Sequence, residues 1–176
     1  MKRNLFVPFG MGSSGYVWNG IFERHAARPH DSEGKPFVKK KPTATNAARY
    51  ASAGGLHTTA TDYAKFLIEI VNPKESDAFR LSKKSLREMV RPQVKLDEQQ
   101  KIDGASSWAL GWGVQERETG NVIVHSGGND GFRSLAMASV EKKSGFIILT
   151  NGDSGGKVIY NQALGEILNR LLAGFL

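Results

Sequence analysis

The sequence predicts an α+β domain in which an antiparallel sheet of about four strands, followed by a C-terminal helix, sits beside a small helical region. Three observations predict it. Apolar residues recur at helical spacing over residues 59–71 and again over 83–90. From Trp108 onward the period shortens to that of strands, with Gly-rich breaks and one evident hairpin. The chain then closes on a third stretch of helical spacing. With 176 residues, 40% hydrophobic and 23% charged, the sequence is long and apolar enough to bury a core and is not of disordered composition.

Residues 1–22 hold Leu5, Phe6, Val7, Phe9, Met11, Tyr16, Val17, Trp18, Ile21 and Phe22 among several glycines, which is buried material without a clean period. Residues 23–49 are polar, basic and contain Pro, and read as a long loop. The clearest helix follows. Thr59 is placed to cap it, with Asp62 as the partner in a shortened capping box, and Tyr63, Phe66, Leu67, Ile70 and Val71 fall on one face before Pro73 ends it. Ser82 caps a second helix, lined by Leu86, Met89 and Val90 and stopped by Pro92. Residues 93–106 read as polar linker. The chain thus forms one domain over 1–176, with 1–106 mostly helix and loop and 107–176 the sheet plus terminal helix.

The predicted strands are Trp108 to Val114, broken by Gly111 and Gly113, then Val122 to Val124, Phe132 to Val140 and Phe146 to Thr150. Residues 141–145 supply the hairpin turn between the last two. The unbroken run Phe146-Ile147-Ile148-Leu149 fits an interior strand covered on both faces. Leu164, Ile167, Leu168, Leu171 and Leu172 form the stripe of a terminal helix over 155–173, with Asp153 or Ser154 as its cap.

The absence of Cys excludes disulfides, thiolate metal sites and a cysteine nucleophile. His25, His30 and His57 lack ligand spacing, so neither a metal nor a cofactor is expected. The net charge of +7 comes partly from Lys39, Lys40 and Lys41 and partly from Arg80 to Lys101. These cations are interleaved with acids and accompanied by no nucleic-acid motif, so solvated faces are expected and not a nucleic-acid partner. No apolar run reaches the ~18 residues of a membrane span. Asn4 to Met11 contains Pro8 and Gly10 and lacks the apolar core of a secretory signal, and the sequence leaves the compartment open.

Four local patterns stand in a telling order: Pro8-Phe9-Gly10-Met11; Ala53-Gly54-Gly55-Leu56-His57-Thr58-Thr59; Leu110-Gly111-Trp112-Gly113; and His125-Ser126-Gly127-Gly128, with Gly131-Phe132 and Leu149-Thr150-Asn151 behind it. Together they resemble the C-terminal portion of the class C β-lactamase-like, penicillin-binding serine hydrolases. The resemblance implies a partial β-lactamase/transpeptidase-like fold. It also implies hydrolysis of a small-molecule amide or ester by acyl transfer through an acyl-serine. In that family the nucleophile comes from a Ser-x-x-Lys motif, and a Tyr-x-Asn motif and a Lys-Thr-Gly motif line the cleft. The last is often His-Ser-Gly in esterase-like branches, and His125-Ser126-Gly127 matches it. The resemblance gives His125 and Ser126 hydrogen bonds to a carboxylate or leaving group, and Gly128 an oxyanion N–H. Gly127, lacking a Cβ, lets substrate approach the strand. Gly54 and Gly55 would form a cleft-side turn that binds substrate, or a plain turn into the helix. Asp62 is read as a cap, not as a catalytic acid.

In the family the Ser-x-x-Lys and Tyr-x-Asn motifs precede the Pro-x-Gly-Met element, which here begins at Pro8. Ser-x-x-Lys triplets do occur at Ser32–Lys35, Ser139–Lys142 and Ser154–Lys157, and Tyr50-Ala51-Ser52 imitates the second motif, but none has the family's order. The expectation is a chain that is inactive alone, with an open sheet edge and an exposed apolar face. Such a chain would self-associate or be complemented by an N-terminal portion. The alternative is a non-catalytic binding or structural protein that retains the fold.

Overall fold

A computed structural model describes residues 1–38, 51–75 and 77–174. Lys39 to Lys41 and Tyr50 lie outside the described residues. The chain opens with one π-helical turn, Lys2–Phe6. A short helix follows, α1 (Gly20–His25), whose first N–H groups are capped by Asn19 Oδ1, at 2.8 Å from Ile21 N and 3.3 Å from Phe22 N. Of the apolar opening segment Phe6, Met11 and Phe22 are buried, whereas Val7, Val17 and Ile21 are exposed.

Helices α2 (Ala60–Val71) and α3 (Lys83–Val90) lie where the spacing puts them. Thr59 Oγ1 accepts from Asp62 N at 3.2 Å, and Ser82 Oγ from Ser85 N at 3.1 Å. The capping box at α2 is not made. Asp62 turns away from the cap and accepts from Ser13 N (2.7 Å), Ser14 Oγ (3.0 Å) and Lys65 Nζ (2.9 Å), stitching the opening segment to α2. Its side chain is therefore a long-range tie. Burial by itself raises the Asp62 pKa, but the hydrogen bonds from Lys65, Ser13 and Ser14 and the Lys65 charge outweigh it, and the net direction is downward. A carboxyl depressed on folding contributes stability above its unfolded pKa, and that contribution is lost as pH falls through the folded value. Asp62→Asn is accordingly expected to lower stability by about 1–3 kcal/mol at pH 7. The gap between the two proteins should shrink as urea denaturation is repeated below pH 4.

The sheet has six antiparallel strands in the order β1-β2-β3-β4-β5-β6, so neighbours in sequence are neighbours in space. They are β1 (Val94–Lys95), β2 (Ser107–Trp108), β3 (Gly113–Gln115), β4 (Val122–Asn129), β5 (Phe132–Ser139) and β6 (Ser144–Thr150). Two departures raise the number above the expected four. The segment Trp108 to Val114 is a hairpin and not one interrupted strand. Ala109 N bonds Trp112 O at 2.7 Å, and Gly111 takes φ +86°, a left-handed position that a side chain disfavours. In addition, part of the supposed linker pairs as β1, with Gln93 N donating to Trp108 O and Leu96 N to Ser106 O. The apolar strand β6 is not interior. Its faces are half-covered, but among the described residues it pairs with β5 alone. An apolar run reports cover on the faces of a strand and says nothing of its edges.

Helices pack on both faces. On one, Leu67, Ile70 and Val71 of α2 meet Ala109, Trp112, Val114, Ile123 and Ala138, with Met89 and Val90 of α3 at the margin. On the other, Val122, Val124, Leu135 and Met137 meet Ile159 and Leu172. These last two belong to α4 (Gly156–Ile159) and α5 (Gln162–Leu172), into which the terminal helix divides after a 3-10 turn, Asp153–Gly155. Neither Asp153 nor Ser154 is its cap: Asn161 Oδ1 caps α5 through Leu164 N at 3.1 Å. Asp153 instead accepts from Gly131 N at 2.9 Å and pairs with Arg133 at 2.9 Å. No helix among the described residues is long and apolar enough to cross a membrane, and no cluster of His or acidic residues there is arranged to hold a metal ion.

Candidate active-site edge of the sheet

Strand β4 has two halves. Val122, Ile123 and Val124 are 0–1% exposed, locked between the two helical layers. Residues 125–129 run on past them and, among the described residues, only β5 accompanies them, because β3 pairs no further than Val124. The direction of the backbone follows from β3. Trp112 O and Val114 O accept from the β2 side, so Gly113 and Gln115 face β4 and bond Val124 and Val122. By the two-residue period, Ser126 and Gly128 turn their N–H and C=O groups the same way, beyond the end of β3. Among the described residues, no backbone group pairs with them on that side. The result is a short open edge inside the sheet.

The four predicted residues, His125 to Gly128, all lie on this stretch. Successive side chains leave opposite faces, so His125 and Gly127 share the α2 face while Ser126 and Gly128 share the α4 face. His125 and Ser126 can converge on one ligand only at the strand's edge. The His125 ring stands where β3 ends, 6.1 Å from Trp112 at 89° and 6.2 Å from Trp108. Its Nδ1 lies 2.8 Å from Ser126 O. A carbonyl can only accept, so Nδ1 carries the proton of this bond and, in the neutral ring, Nε2 is left as the acceptor. A Cβ on Gly127 would come within 2.7 Å of Ser134 Oγ, so the bare backbone here also permits close cross-strand packing.

On the α4 face, Ser126, Gly127, Gly128, Arg133, Ile159 and Tyr160 line a cleft of about 300 Å³. The Tyr160 hydroxyl donates to Asp103 Oδ1 at 2.7 Å. Burial raises the Tyr160 pKa, the hydrogen bond and charge of Asp103 raise it further, and the Ser126 hydroxyl acts against them. Arg133 is anchored through both of its Nη atoms. Its Nη1 donates to Asn129 O and Phe132 O at 2.7 Å each, and Nη2 pairs with Asp153.

The Gly54 turn lies at the far end of the same edge, where Asn129 Nδ2 donates to Gly54 O at 3.2 Å. Gly55 faces its own helical turn. A Cβ there would sit 2.8 Å from Ala51 Cα, which accounts for this glycine by packing alone. The Ser-x-x-Lys triplets lie elsewhere. Ser139 is 1% exposed and accepts from Lys142 N, Ser32 is in an exposed turn, and among the described residues no hydrogen bond joins Ser154 to Lys157.

The family model described as Beta-lactamase matches residues 1–167. The chain belongs to the Beta-lactamase family. Solved structures of similar fold include an octameric penicillin-binding protein homologue from Pyrococcus abyssi (TM-score 0.72, 23% identity, 96% of this chain and 36% of that one). A β-lactamase/D-alanine carboxypeptidase from Pseudomonas syringae is also similar (TM-score 0.69, 15% identity, 98% of this chain and 51% of that one). So is a class C β-lactamase (TM-score 0.69, 14% identity, 94% of this chain and 50% of that one). At such identities the likeness is one of fold, and the chain spans between about a third and a half of their lengths. No curated protein matches the sequence.

Sequence reasoning missed Tyr160, Asp103, Arg133 and Asn129. Asp103 left a trace, since Asp-Gly marks a turn, and Asp103 (φ +52°) and Gly104 (φ +73°) do take left-handed conformations. Tyr160 left none. It sits in what reads as continuous helix, and only the break before Asn161 frees its ring.

Proposed function

We propose that this Beta-lactamase-family chain forms one wall of the active site of a serine hydrolase that cleaves an amide or ester by acyl transfer. The observation that carries the reading is the unpaired edge at Ser126 and Gly128, beside His125. In the proposed reaction a serine Oγ adds to the substrate carbonyl, the carbon–nitrogen or carbon–oxygen bond breaks, and the leaving group departs with a proton. Water then releases the acid. Gly128 N–H would hold the oxyanion, a contribution of ~3 kcal/mol in the transition state. The Gly54 carbonyl, held by Asn129, would border the substrate, and Gly55 would shape the turn behind it. His125 in place of Lys leans the substrate toward esters. The serine and its base are supplied by a segment bearing Ser-x-x-Lys and Tyr-x-Asn, and the three triplets of this chain do not substitute for it.

The test uses nitrocefin, p-nitrophenyl esters and a fluorophosphonate label. The chain alone should neither turn over substrate nor take the label. Mixed with a family polypeptide that carries the two other motifs, it should gain ester hydrolysis that His125→Ala lowers by at least ~100-fold. Turnover by the isolated chain that Ser154→Ala abolishes would sink the assignment of the nucleophile. A folded mixture without hydrolysis would favour a binding protein.

A further inference from the structure

The two outer edges of the sheet are built differently. At one, β1 is two residues long, carries Lys95 and follows Pro92, and a short, charged strand beside a proline is a poor template for pairing. At the other, β6 runs from Ser144 to Thr150 without a charge, a proline or a bulge, every residue in register with β5. Among the described residues, no strand pairs with its outer side. Which of its groups point outward follows from the ladder. Ser126 and Gly128 turn away from β5, so His125, Gly127 and Asn129 bond it, at Ala136, Ser134 and Phe132. Arg133, Leu135 and Met137 therefore bond β6, at Thr150, Ile148 and Phe146. Gly145, Ile147 and Leu149 are left with N–H and C=O groups aimed outward. Asn151, the next residue of that parity, bears out the direction, since its carbonyl accepts from His30 N at 3.0 Å. His30 thus closes the outer side just beyond Thr150.

The rim of this edge is apolar. A Cβ on Gly145 would lie 3.1 Å from Leu67 Cδ2, so Gly145, and with it Ile147 and Leu149, face α2. Leu149 is 40% exposed there. Phe66 leans the other way and stacks on Trp112. Ile68, on the opposite side of Leu67 from Phe66, therefore falls beyond β6, and it is 55% exposed.

We infer that β6 is the interface of a homodimer, in which two copies join edge to edge, antiparallel, about a two-fold axis at Ile147. The strand is self-complementary in this register. Ile147 meets the partner's Ile147, and Gly145 meets the partner's Leu149, small against large. Each of these pairs exchanges two hydrogen bonds, and the sheet runs on through both copies. The partner's Ser144 then lies opposite Thr150. Ser144 is where β6 begins, Lys143 (φ +52°) having turned the chain, so the incoming strand stops where His30 takes over the edge. A register shifted one way would drive the partner strand into His30, and one shifted the other way would leave Leu149 unpaired. The inference is independent of the chemistry proposed at β4.

The experiment measures the mass of the 176-residue chain by light scattering across a concentration series, together with amide hydrogen exchange. The chain should be dimeric at the upper end, and the Gly145, Ile147 and Leu149 amides should there exchange at least ~10-fold more slowly than after dilution to the monomer. In dimers of mixed isotope labelling, an Hα contact between Phe146 and the partner subunit's Ile148 should report the register, because pairs that exchange no hydrogen bonds bring their Cα atoms closest. Ile147→Lys and Ile147→Glu should each weaken association at least ~10-fold, since like charges would stand opposite each other across the axis, and an equimolar mixture of the two should recover the dimer. Circular dichroism melts check that both variants fold, and if either does not, exchange and the Hα contact in the unaltered chain decide. A monomer at every concentration would overturn the inference. So would slow edge amides in a monomer, the mark of a chain that covers its own edge, a dimer whose edge amides exchange freely, or one that survives both substitutions.

Discussion

Trp112→Ala is expected to destabilise the protein by about 3–5 kcal/mol, the cost of truncating a large aromatic side chain in a packed core. Trp112 is 4% exposed and sits in the cluster formed by α2 and strands β3 to β5. It stacks on Phe66 at 6.4 Å and 17°, so its removal strips the α2 helix of its aromatic partner. The space cannot close easily, because the turn that carries Trp112 is fixed by the Ala109 N to Trp112 O bond. Urea denaturation should show the loss as a lower midpoint with little change of slope. His125→Ala is the comparison. That side chain is exposed and meets Trp112 only edge-on, so its loss should cost under about 1 kcal/mol. If the two substitutions proved equally damaging, the layered core described above would be wrong.

Gly131→Ala should be comparably severe, for a different reason. Asn129 and Phe132 pair across the two-residue turn Asp130-Gly131, and Gly131 has φ +75°. A left-handed Ala costs about 1–2 kcal/mol before any contact is considered. Its Cβ would lie 2.3 Å from Pro29 Cβ and 2.9 Å from Pro29 Cα, so the segment carrying Pro29 must move. Overpacking of this kind adds about 1–3 kcal/mol. The turn also anchors the open edge, because Gly131 N is held by Asp153, the partner of Arg133. A thermal melt should register the loss. Amide resonances of residues 125–129 should shift with it, and those of α5 should not.

The sequence disclosed whatever depends on local chemistry or on one-dimensional periodicity. The two helices with Thr59 and Ser82 at their heads and the β5–β6 hairpin were legible in this way, whereas the pattern ended the strand at Val124 and only the family resemblance carried His125 to Gly128 onto it, as β4 (Val122–Asn129) does. What it hid depends on partners distant in the chain. The Trp108 to Val114 stretch reads as a strand because its glycines interrupt an apolar pattern, while the reversal at Gly111 is a matter of φ. β1 is two residues long and both are exposed, so no pattern could mark it. Asp62 looks like half of a capping box because Thr59 stands three residues before it, and its true partners, Ser13 and Ser14, are almost fifty residues away. Tyr160 and Asp103 lie far apart in sequence and meet only because α4 packs beside the turn that precedes β2.

The early end of β3 has a consequence for how a ligand would be read. A molecule lying along Ser126 and Gly128 would occupy the place of an absent strand, contributing its own amide or ester groups to the ladder. Recognition of that kind works through main-chain groups common to every acylated amine, and so tolerates wide variation in what the chain carries. Discrimination is then left to the two flanks. One is a pair of indoles around an imidazole; the other is a phenol leaning over a serine. On the proposed reading, the missing rung would make the site permissive along the strand, and the unlike walls would make it selective across it.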